Sequence, residues 1–455
     1  MRALERGFVV AAAVIVVASL AAVVAAPSDA HGHDSLRFDP DVPAEYSFAA
    51  PTTQGTATID GQRFASVNAA VAAAEPGDTI VLRGRFKEHV TVDTPDLTLT
   101  SAPGRLAMID GGGVDDVLTL NGANATVRRV WIANSGSDAS GNDAGIWVNS
   151  TGARIVDSRL TRITFGLWVD GVDDVLIRNN TIVGRESVRP LSYRGNGVQL
   201  WKTSGTQVTG NHITDVRDGI YYSWASEVLG NRNVMWDLRY GIHYMYSDDC
   251  RLVNNTAFGN DVGYALMVSQ RLEIVNNIAV NNHGKSGHGI LAKSIDKTTI
   301  RGNVLIGNRK GLYVFNSLDN VIADNLVMAN DIGVHLAAGS VREEVYNNSF
   351  VRNDEPVRAV IGEQVAWNES GVGNYWSGAS TADVDGDGMS DVRYRPAGLV
   401  ERLMVTEPIA RVFADSPAFS AIRLAESSIP VIESPGVIDH HPRVEPRHDW
   451  RTYYD

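Results

Sequence analysis

One histidine and two methionines are placed where they could bind a soft metal ion together. His243 and Met245 are two residues apart, and Met267 follows Met245 by 22 residues. Imidazole nitrogen and thioether sulfur are ligands that suit Cu(I). His288 lies further along the chain and could join them. Alternatively, the methionines fill gaps in a core and the histidines are ordinary surface residues. The group is a copper site only if the fold brings these side chains to one face.

A second group has the spacing of a calcium-binding loop. Asp383, Asp385 and Asp387 alternate along the chain, a glycine follows, and Asp391 comes soon after. Oxygen ligands at alternate positions with a glycine at the turn are typical of calcium loops. Tyr394 stands where an EF-hand needs its bidentate glutamate, so the pattern predicts a smaller calcium loop. The alternative is an Asp-rich turn without a metal.

Other kinds of chemistry have little support in the sequence. There is no Gly-x-Ser-x-Gly motif, no phosphate-binding loop and no context for a nucleophilic cysteine. Cys250 is the only cysteine, which excludes an intramolecular disulfide and a zinc finger. The net charge of −13 argues against a nucleic-acid partner. We therefore expect a protein that is not an enzyme and does not bind nucleic acid.

A repeat of 22 residues supplies the elements that would position these side chains. Short segments of one type begin with a glycine, at Gly197, Gly219, Gly241, Gly263, Gly289, Gly311 and Gly333, with one longer step of 26 residues. Asparagines recur eight residues before several of these glycines, at Asn211, Asn233, Asn255, Asn303 and Asn325. Such a unit cannot bury a core alone, but stacked copies can.

The repeat predicts an all-β protein, a right-handed parallel β-helix of roughly ten to twelve coils. Asparagines at one turn position can bond to their neighbours up and down the stack. Residues 64–74 have the pattern of a short amphipathic helix that would cap the N-terminal end. Residues 395–436 have the pattern of one or two short helices, which would form a C-terminal extension.

Alternation along each strand predicts which side chains face out. The residue after each glycine is aliphatic or tyrosine and should face inward, so the next one faces outward. His243, Met245 and Met267 then share one outward strip, with Met267 about 4.8 Å from Met245 across one coil. This strip is apolar and aromatic, which indicates a binding surface, or a surface covered by a loop or by the C-terminal helices.

A carbohydrate-binding or polysaccharide-modifying β-helix is the alternative function. Trp147, Trp168 and Trp201 lie on the outward strip and could stack on sugars. Enzymes of that kind need charged groups together on one face, whereas Asp170 and Lys293 are many coils apart.

The ends of the chain differ from the repeats. Residues 1–30 have a basic start, an apolar run and small residues, as in a cleaved signal sequence or an uncleaved anchor. The predicted organisation continues with a linker at 31–58, the β-helix at 59–360 and an extension with the Asp/Gly loop at 361–438. The polar tail at 439–455 is expected to be extended or disordered.

Three segments resemble the NosD family, the β-helix maturation proteins of nitrous oxide reductase. They are Arg239-Tyr-Gly-Ile-His-Tyr-Met-Tyr-Ser-Asp-Asp249, Gly373-Asn-Tyr-Trp-Ser377 with the Asp-Gly-Asp-Gly that follows it, and Asp415-Ser-Pro-Ala-Phe-Ser420. The resemblance covers roughly residues 60–445. Gly378, Ala379 and Ser390 depart from the family pattern, which bears on the detail of the calcium-type loop.

The resemblance implies an exported protein, in the periplasm or on the outer face of the cytoplasmic membrane. It implies that the protein works with the ATPase and membrane permease of an ABC transporter. A copper chaperone would supply the copper, and nitrous oxide reductase would receive it. His243, Met245 and Met267 would then bind Cu(I) transiently. A third possibility is a docking surface for the permease that holds no metal of its own.

Overall fold

The computed structural model describes residues 37–38, 40, 42, 49–360, 364–396, 398, 400, 403, 407–413, 416–428 and 436–453. The predicted signal or anchor at 1–30 lies outside these residues. The chain divides into two compact units, Pro40–Trp450 and a small one formed by the two chain ends. The larger unit contains the repeats and all the candidate residues.

The larger unit is a right-handed parallel β-helix, as the repeat predicts, and its count of about 13 turns slightly exceeds the ten to twelve expected. Its three long sheets contain 14, 13 and 12 strands, and consecutive coils pair in parallel. The exceptions are Thr56–Ile59 with its two neighbours, which pair antiparallel at the N-terminal end. Aliphatic side chains from all three sheets point inward and form one continuous core along the stack.

The first sheet contains Gln62–Phe64, Thr56–Ile59, Thr79–Arg83, Thr98–Ser101, Thr126–Arg128, Arg154–Val156, Leu176–Arg178, Gln207–Thr209, Leu229–Asn231, Arg251–Val253, Glu273–Val275, Thr299–Arg301, Val321–Ala323 and Glu344–Tyr346. The second contains Arg85–Lys87, Ala107–Asp110, Val130–Ala133, Arg159–Thr161, Thr181–Val183, His212–Thr214, Val234–Trp236, Thr256–Phe258, Ile278–Val280, Val304–Ile306, Leu326–Met328, Ser349–Val351 and Tyr375–Trp376.

The third sheet carries the candidate copper residues. It contains Val90–Val92, Leu118–Leu120, Ala144–Val148, Phe165–Asp170, Val198–Trp201, Asp218–Ser223, Tyr240–Met245, Val262–Gln270, His288–Asp296, Lys310–Phe315, Ile332–Leu336 and Glu355–Ala359. A small fourth sheet pairs Gln364–Ala366 with Gly436–Ile438. In the part of the chain that the structure describes, the α-helices with defined bounds are α1, Val67–Ala73, and α2, Pro417–Ser428. The 3-10 helices there are Leu191–Tyr193, Pro408–Phe413 and Trp450–Tyr453.

Helix α1 lies at the N-terminal end of the stack, where a cap is expected. Ser66 begins it, since its hydroxyl accepts a hydrogen bond from the Ala69 amide at 3.0 Å. Val67, Ala70 and Val71 are buried on the face that meets the first strands. Helix α2 lies in the C-terminal extension, so both predicted helical regions are confirmed.

A continuous ladder of buried asparagines runs through the turns between the first and second sheets. Each side-chain amide donates to the Oδ1 of the next asparagine at 2.9–3.1 Å. The members are Asn180, Asn211, Asn233, Asn255, Asn277, Asn303, Asn325, Asn348 and Asn374. The ladder satisfies backbone groups at every turn, because each asparagine also accepts from the preceding one's amide N–H.

Asp439 closes this ladder, so of the two alternatives expected for the tail, extended or disordered, residues 439–450 are not disordered. The Asp439 carboxylate is fully buried and accepts from the Asn374 amide at 2.7 Å and from Trp376 Nε1 at 2.8 Å. His448 then bonds to Ser349 Oγ at 3.0 Å and to the Asp324 carbonyl at 2.9 Å. The polar composition of the tail did not predict this packing, because the tail contacts the β-helix through hydrogen bonds rather than through apolar side chains.

Candidate metal centre

The outward strip is formed by the outward-facing side chains of the third sheet. His243 stands in register with Tyr221 on one side and Ala265 on the other. Ala265 is the smallest side chain of this column, which otherwise carries Trp147, Trp168, Gln199, Tyr221, Leu291, Tyr313 and His335. Val262, Ala265 and Leu291 form a small apolar cluster separate from the main core. The strip is therefore partly buried by its own side chains.

His243 is held by a carboxylate that alternation alone would place inside. Its Nδ1 lies 3.2 Å from Oδ2 of Asp218, one coil away. The His243 side chain is 11% exposed, and among the described residues its Nε2 has no hydrogen-bond partner. A carboxylate acceptor at Nδ1 favours the tautomer with the proton there, which leaves the Nε2 lone pair free. A carboxylate behind the imidazole is also the usual arrangement of metal-binding histidines.

Asp218 stays ionised because two side chains donate to it. Arg239 Nε donates to its Oδ1 at 2.8 Å, and the carboxylate is completely buried. Burial by itself raises the pKa of Asp218, but hydrogen bonds from His243 and Arg239 outweigh it and lower the pKa to about 2. The Arg239 guanidinium also lies 4.4 Å from the Tyr240 ring centroid. The group therefore presents a fixed imidazole backed by an ionised carboxylate, which is also paired with the guanidinium groups of Arg239 and Arg217.

Sequence reasoning missed Asp218 and Arg239 because the strands bend at the repeat glycine. Asp218 pairs with Tyr240, and pairing then resumes at Ile220 and Ile242, past the glycines. Because of this bend, side chains do not simply alternate across the glycine. The residue before the glycine therefore faces outward, although alternation places it inside. The sequence did contain a sign of this special position. Asp218 is the only aspartate that directly precedes a repeat glycine, and the following coils carry Tyr240, Val262, His288 and Lys310 there.

Met245 and Met267 are directly paired on adjacent strands. The register places Met245 opposite Met267 and His243 opposite Ala265. Both methionines are half-buried, and paired strands lie about 4.8 Å apart. The structure therefore brings both methionines beside His243 on one face. Their role as metal ligands stays a prediction.

His288 lies in a different environment. Its strand pairs with the Met267 strand, but two coil steps separate it from the His243 strand. Its own position is in register with Lys310, and its ring stacks on Tyr313 with centroids 5.1 Å apart. Because a neighbouring ammonium disfavours a bound cation, we leave His288 out of the group formed by His243, Met245 and Met267.

Three large exposed residues form a ridge beside the methionine pair. Trp224, Tyr246 and Val268 each follow an outward residue of the third sheet, and they are 55%, 45% and 39% exposed. All three have left-handed φ values of 55°, 55° and 49°, which bulky and β-branched residues rarely adopt. The Trp224 and Tyr246 rings stack with centroids 4.7 Å apart. An apolar ridge thus borders the methionines.

Two of the three tryptophans proposed as a sugar platform pack against each other. Trp147 and Trp168 stack with centroids 5.2 Å apart, and Phe165 packs edge-on against Trp168. Trp201 lies in the next column, in register with Asp170. The stacked pair therefore uses ring faces that a sugar would otherwise cover.

The Asp/Gly loop gathers three of its four predicted acidic residues. Carboxylate oxygens of Asp383, Asp385 and Asp391 lie within 4.8 Å of one another, and Asp387 stands outside this group. Asp383 accepts hydrogen bonds from two glycine amides at 2.7 and 3.0 Å, and Asp391 from the Val384 amide at 2.8 Å. Backbone donors already hold these carboxylates in place, so calcium binding stays a prediction.

Cys250 takes no part in any site. It is fully buried, and burial raises the pKa of its thiol to about 12. A thiol with this pKa does not supply the thiolate that binds soft metals. Any soft-metal site on the outward strip therefore relies on imidazole and thioether groups.

Comparison with known proteins identifies the family. The family model described as "Periplasmic copper-binding protein (NosD)" matches residues 178–381. A "Probable ABC transporter binding protein NosD" of Pseudomonas aeruginosa is 37% identical over 400 residues, which cover 82% of this chain and 92% of the relative. This chain belongs to the NosD family. A NosD protein of the same description from Stutzerimonas stutzeri is 35% identical, over 79% of this chain and 85% of the relative.

Among solved structures, the mannuronan C-5 epimerase A-module of Azotobacter vinelandii has a TM-score of 0.49 at 12% identity, over 64% of this chain and 89% of that one. The NosD family is described as periplasmic. Within the described residues, no helix has the length and apolar character needed to cross a bilayer.

The NosD-type segment Gly373–Ser377 has a structural explanation. Asn374 is the last member of the asparagine ladder, and Trp376 stacks on Phe350 with centroids 4.3 Å apart. A side chain at position 373 would meet Oδ1 of Asp439 at 2.1 Å, so only glycine fits there. This segment therefore closes the C-terminal end of the β-helix.

Proposed function

We propose that this protein is an exported accessory protein that binds Cu(I) transiently on the outward strip, for assembly of the copper centres of nitrous oxide reductase. His243 Nε2, Met245 and Met267 supply the ligands. The observation that carries the proposal is the unpartnered Nε2 of a histidine whose Nδ1 is held by the ionised Asp218. The family description as a copper-binding protein supports it.

The ligand chemistry fits a carrier that must release its metal. Imidazole and thioether are neutral ligands, and thioethers favour Cu(I) over harder ions. Without a thiolate, the site lacks the strongest soft ligand available to proteins. Asp218 adds a fixed negative charge behind His243, which increases the basicity of the imidazole. Copper is the cargo, and we assign the protein no catalytic step.

The proposed partners follow from the family. Both relatives are named as ABC transporter binding proteins, so we propose that this protein works with the ATPase and permease of such a transporter. A copper chaperone would load it, and nitrous oxide reductase would receive the metal. We place it in the periplasm or on the outer face of the cytoplasmic membrane.

An anaerobic Cu(I) titration of the full chain against a chromophoric Cu(I) chelator tests the site. We expect saturable binding to the wild type, and an affinity lowered about tenfold or more in His243→Ala and in the double variant Met245→Ala/Met267→Ala, because each removes ligands. Asp218→Asn removes the charge behind the imidazole while keeping its shape, and should lower the affinity about tenfold.

His283→Ala is the matched control, because His283 is exposed in the longer coil, away from the outward strip. Its Cu(I) affinity should equal that of the wild type. Equal affinity in the wild type and in the variant lacking His243 and both methionines would overturn the assignment. Saturable binding of a polysaccharide, with no Cu(I) binding, would favour the alternative function.

A further inference from the structure

A cluster of basic side chains surrounds Tyr313 on the outward strip, two to four coils beyond His243. The Tyr313 cluster consists of His288, Lys310, Tyr313 and His335. His288 stacks on the Tyr313 ring at 5.1 Å between centroids, and His335 meets it edge-on at 4.9 Å. Lys310 Nζ lies 4.7 Å from the same centroid. Three strands thus direct one ammonium and two imidazoles to one aromatic ring.

The positive charge of the cluster is not balanced by the protein. Within the described part of the chain, Lys310 makes no ion pair. The acidic group that acts on His335 is Glu355, and it already accepts a hydrogen bond from Arg358 Nε at 3.1 Å. This arrangement contrasts with a chain of net charge −13. An uncompensated, partly buried ammonium is costly unless an anion accompanies it.

Both histidines also have unused polar atoms. Among the described residues, His288 Nδ1 and His335 Nδ1 are buried without hydrogen-bond partners, and His288 as a whole is 6% exposed. Buried polar groups are normally satisfied by protein or by a bound species. The cluster therefore has polar atoms that no described residue satisfies, and each neutral imidazole carries one N–H to offer a ligand.

We propose that the Tyr313 cluster binds a carboxylate. One ammonium matches its single charge, and two imidazole N–H groups match its two oxygens. Phe315, which stacks near Tyr313 at 6.5 Å, offers apolar contact to the rest of the ligand. Clusters that select phosphate usually present the fork of an arginine, whereas Arg358 is engaged by Glu355.

The protonation state of the histidines agrees with a monoanion. Burial, followed by the charge of Lys310, lowers the pKa of both His288 and His335 to about 4. Both rings are therefore neutral near pH 7, and each donates one N–H. Lys310 is then the charged member of the cluster itself, and the guanidinium groups of Arg309 and Arg358 add positive charge around it. The same ammonium keeps a metal cation away, so this site is separate from the proposed copper ligands.

Titration of ¹⁵N-histidine-labelled full-length protein with acetate and with hexaglutamate tests the proposal. We expect saturable shifts of the His288 and His335 ring resonances, assigned with His288→Phe and His335→Phe. Lys310→Met should weaken binding about tenfold or more, because it removes a charge-assisted hydrogen bond. Lys297→Met, an exposed lysine on a turn, is the control and should bind as the wild type does.

The two probes distinguish the source of the carboxylate. Saturation by acetate indicates a free carboxylate ligand, whereas saturation by hexaglutamate alone indicates an acidic segment of a partner protein. The remaining histidine resonances report that each variant is folded. No saturable shift with either probe, equal binding in folded Lys310→Met, or tighter binding of inorganic phosphate would overturn the proposal. None of these results depends on Cu(I) binding.

Discussion

Two histidine environments on one strip show how the neighbours of a side chain decide what it can bind. His243 has the carboxylate of Asp218 at 3.2 Å, which orients the ring and makes its other nitrogen a better metal ligand. His288 and His335 have Lys310 beside them, so an anion is favoured there. In the sequence, all three histidines lie in similar repeats, and nothing distinguishes their surroundings. Only the register between coils shows which charge each one faces.

Glu343 is a buried acid that makes stability depend on pH. It accepts hydrogen bonds from the amide and the side chain of Asn320, both at 3.2 Å, and burial raises its pKa from 4.5 to about 7. The folded state therefore holds its proton more tightly than the unfolded state. Its contribution to stability is fully present below pH 4.5 and is lost as the pH rises to about 7.

We therefore expect Glu343→Gln to abolish this component. Relative to the variant, the wild type should lose roughly 1–3 kcal/mol of unfolding free energy between pH 4.5 and pH 8. Urea unfolding across that range measures the difference. Glu344→Gln is the control, since Glu344 is the exposed neighbour. A difference between wild type and Glu343→Gln that stays constant with pH would contradict the prediction.

At the scale of the strand, the period of the repeat was enough to predict the fold and most of the outward strip. Glycine spacing predicts the register, and the register places Met245 opposite Met267 as observed. Alternation failed where the backbone bends at each glycine, so Asp218 was not expected outside. It also gave no information about φ, and the ridge of Trp224, Tyr246 and Val268 was missed.

Val268 is the most strained member of that ridge. A β-branched residue at φ 49° is destabilised relative to asparagine, which tolerates the left-handed region. We expect Val268→Asn to raise the free energy of unfolding by about 1 kcal/mol, measured by urea unfolding. Val341→Asn is the control, because Val341 is 43% exposed without a positive φ. An equal gain in both variants would show that polarity, not strain, is the cause.

At the scale of the whole molecule, the C-terminal segment is part of the β-helix rather than an appendage. The strand Gly436–Ile438 pairs with Gln364–Ala366, and Asp439 closes the asparagine ladder. Composition could not predict this closure. The partners are 65 residues apart in sequence, and no repeat relates them.

Removing the Asp439 carboxylate should loosen this end of the molecule. Asp439→Ala leaves the Asn374 amide and Trp376 Nε1 buried without an acceptor, and each such group costs about 1–3 kcal/mol. We expect a lower midpoint of urea unfolding and faster hydrogen exchange at Asn374. Asp331→Ala, an exposed aspartate on the stack, is the control. An unchanged rate of hydrogen exchange at Asn374 in Asp439→Ala would show that the ladder closes without Asp439.

The ladder joins each coil to both of its neighbours. Asn211, for example, donates to Asn233 Oδ1 in the next coil and to the Ile177 carbonyl in the preceding one. Asn374 and the last strands, however, remain an open edge until residues 436–439 arrive. A chain cut short before Asp439 would therefore keep a strand edge able to pair with another chain. Closure of the stack therefore requires a chain that extends as far as Asp439.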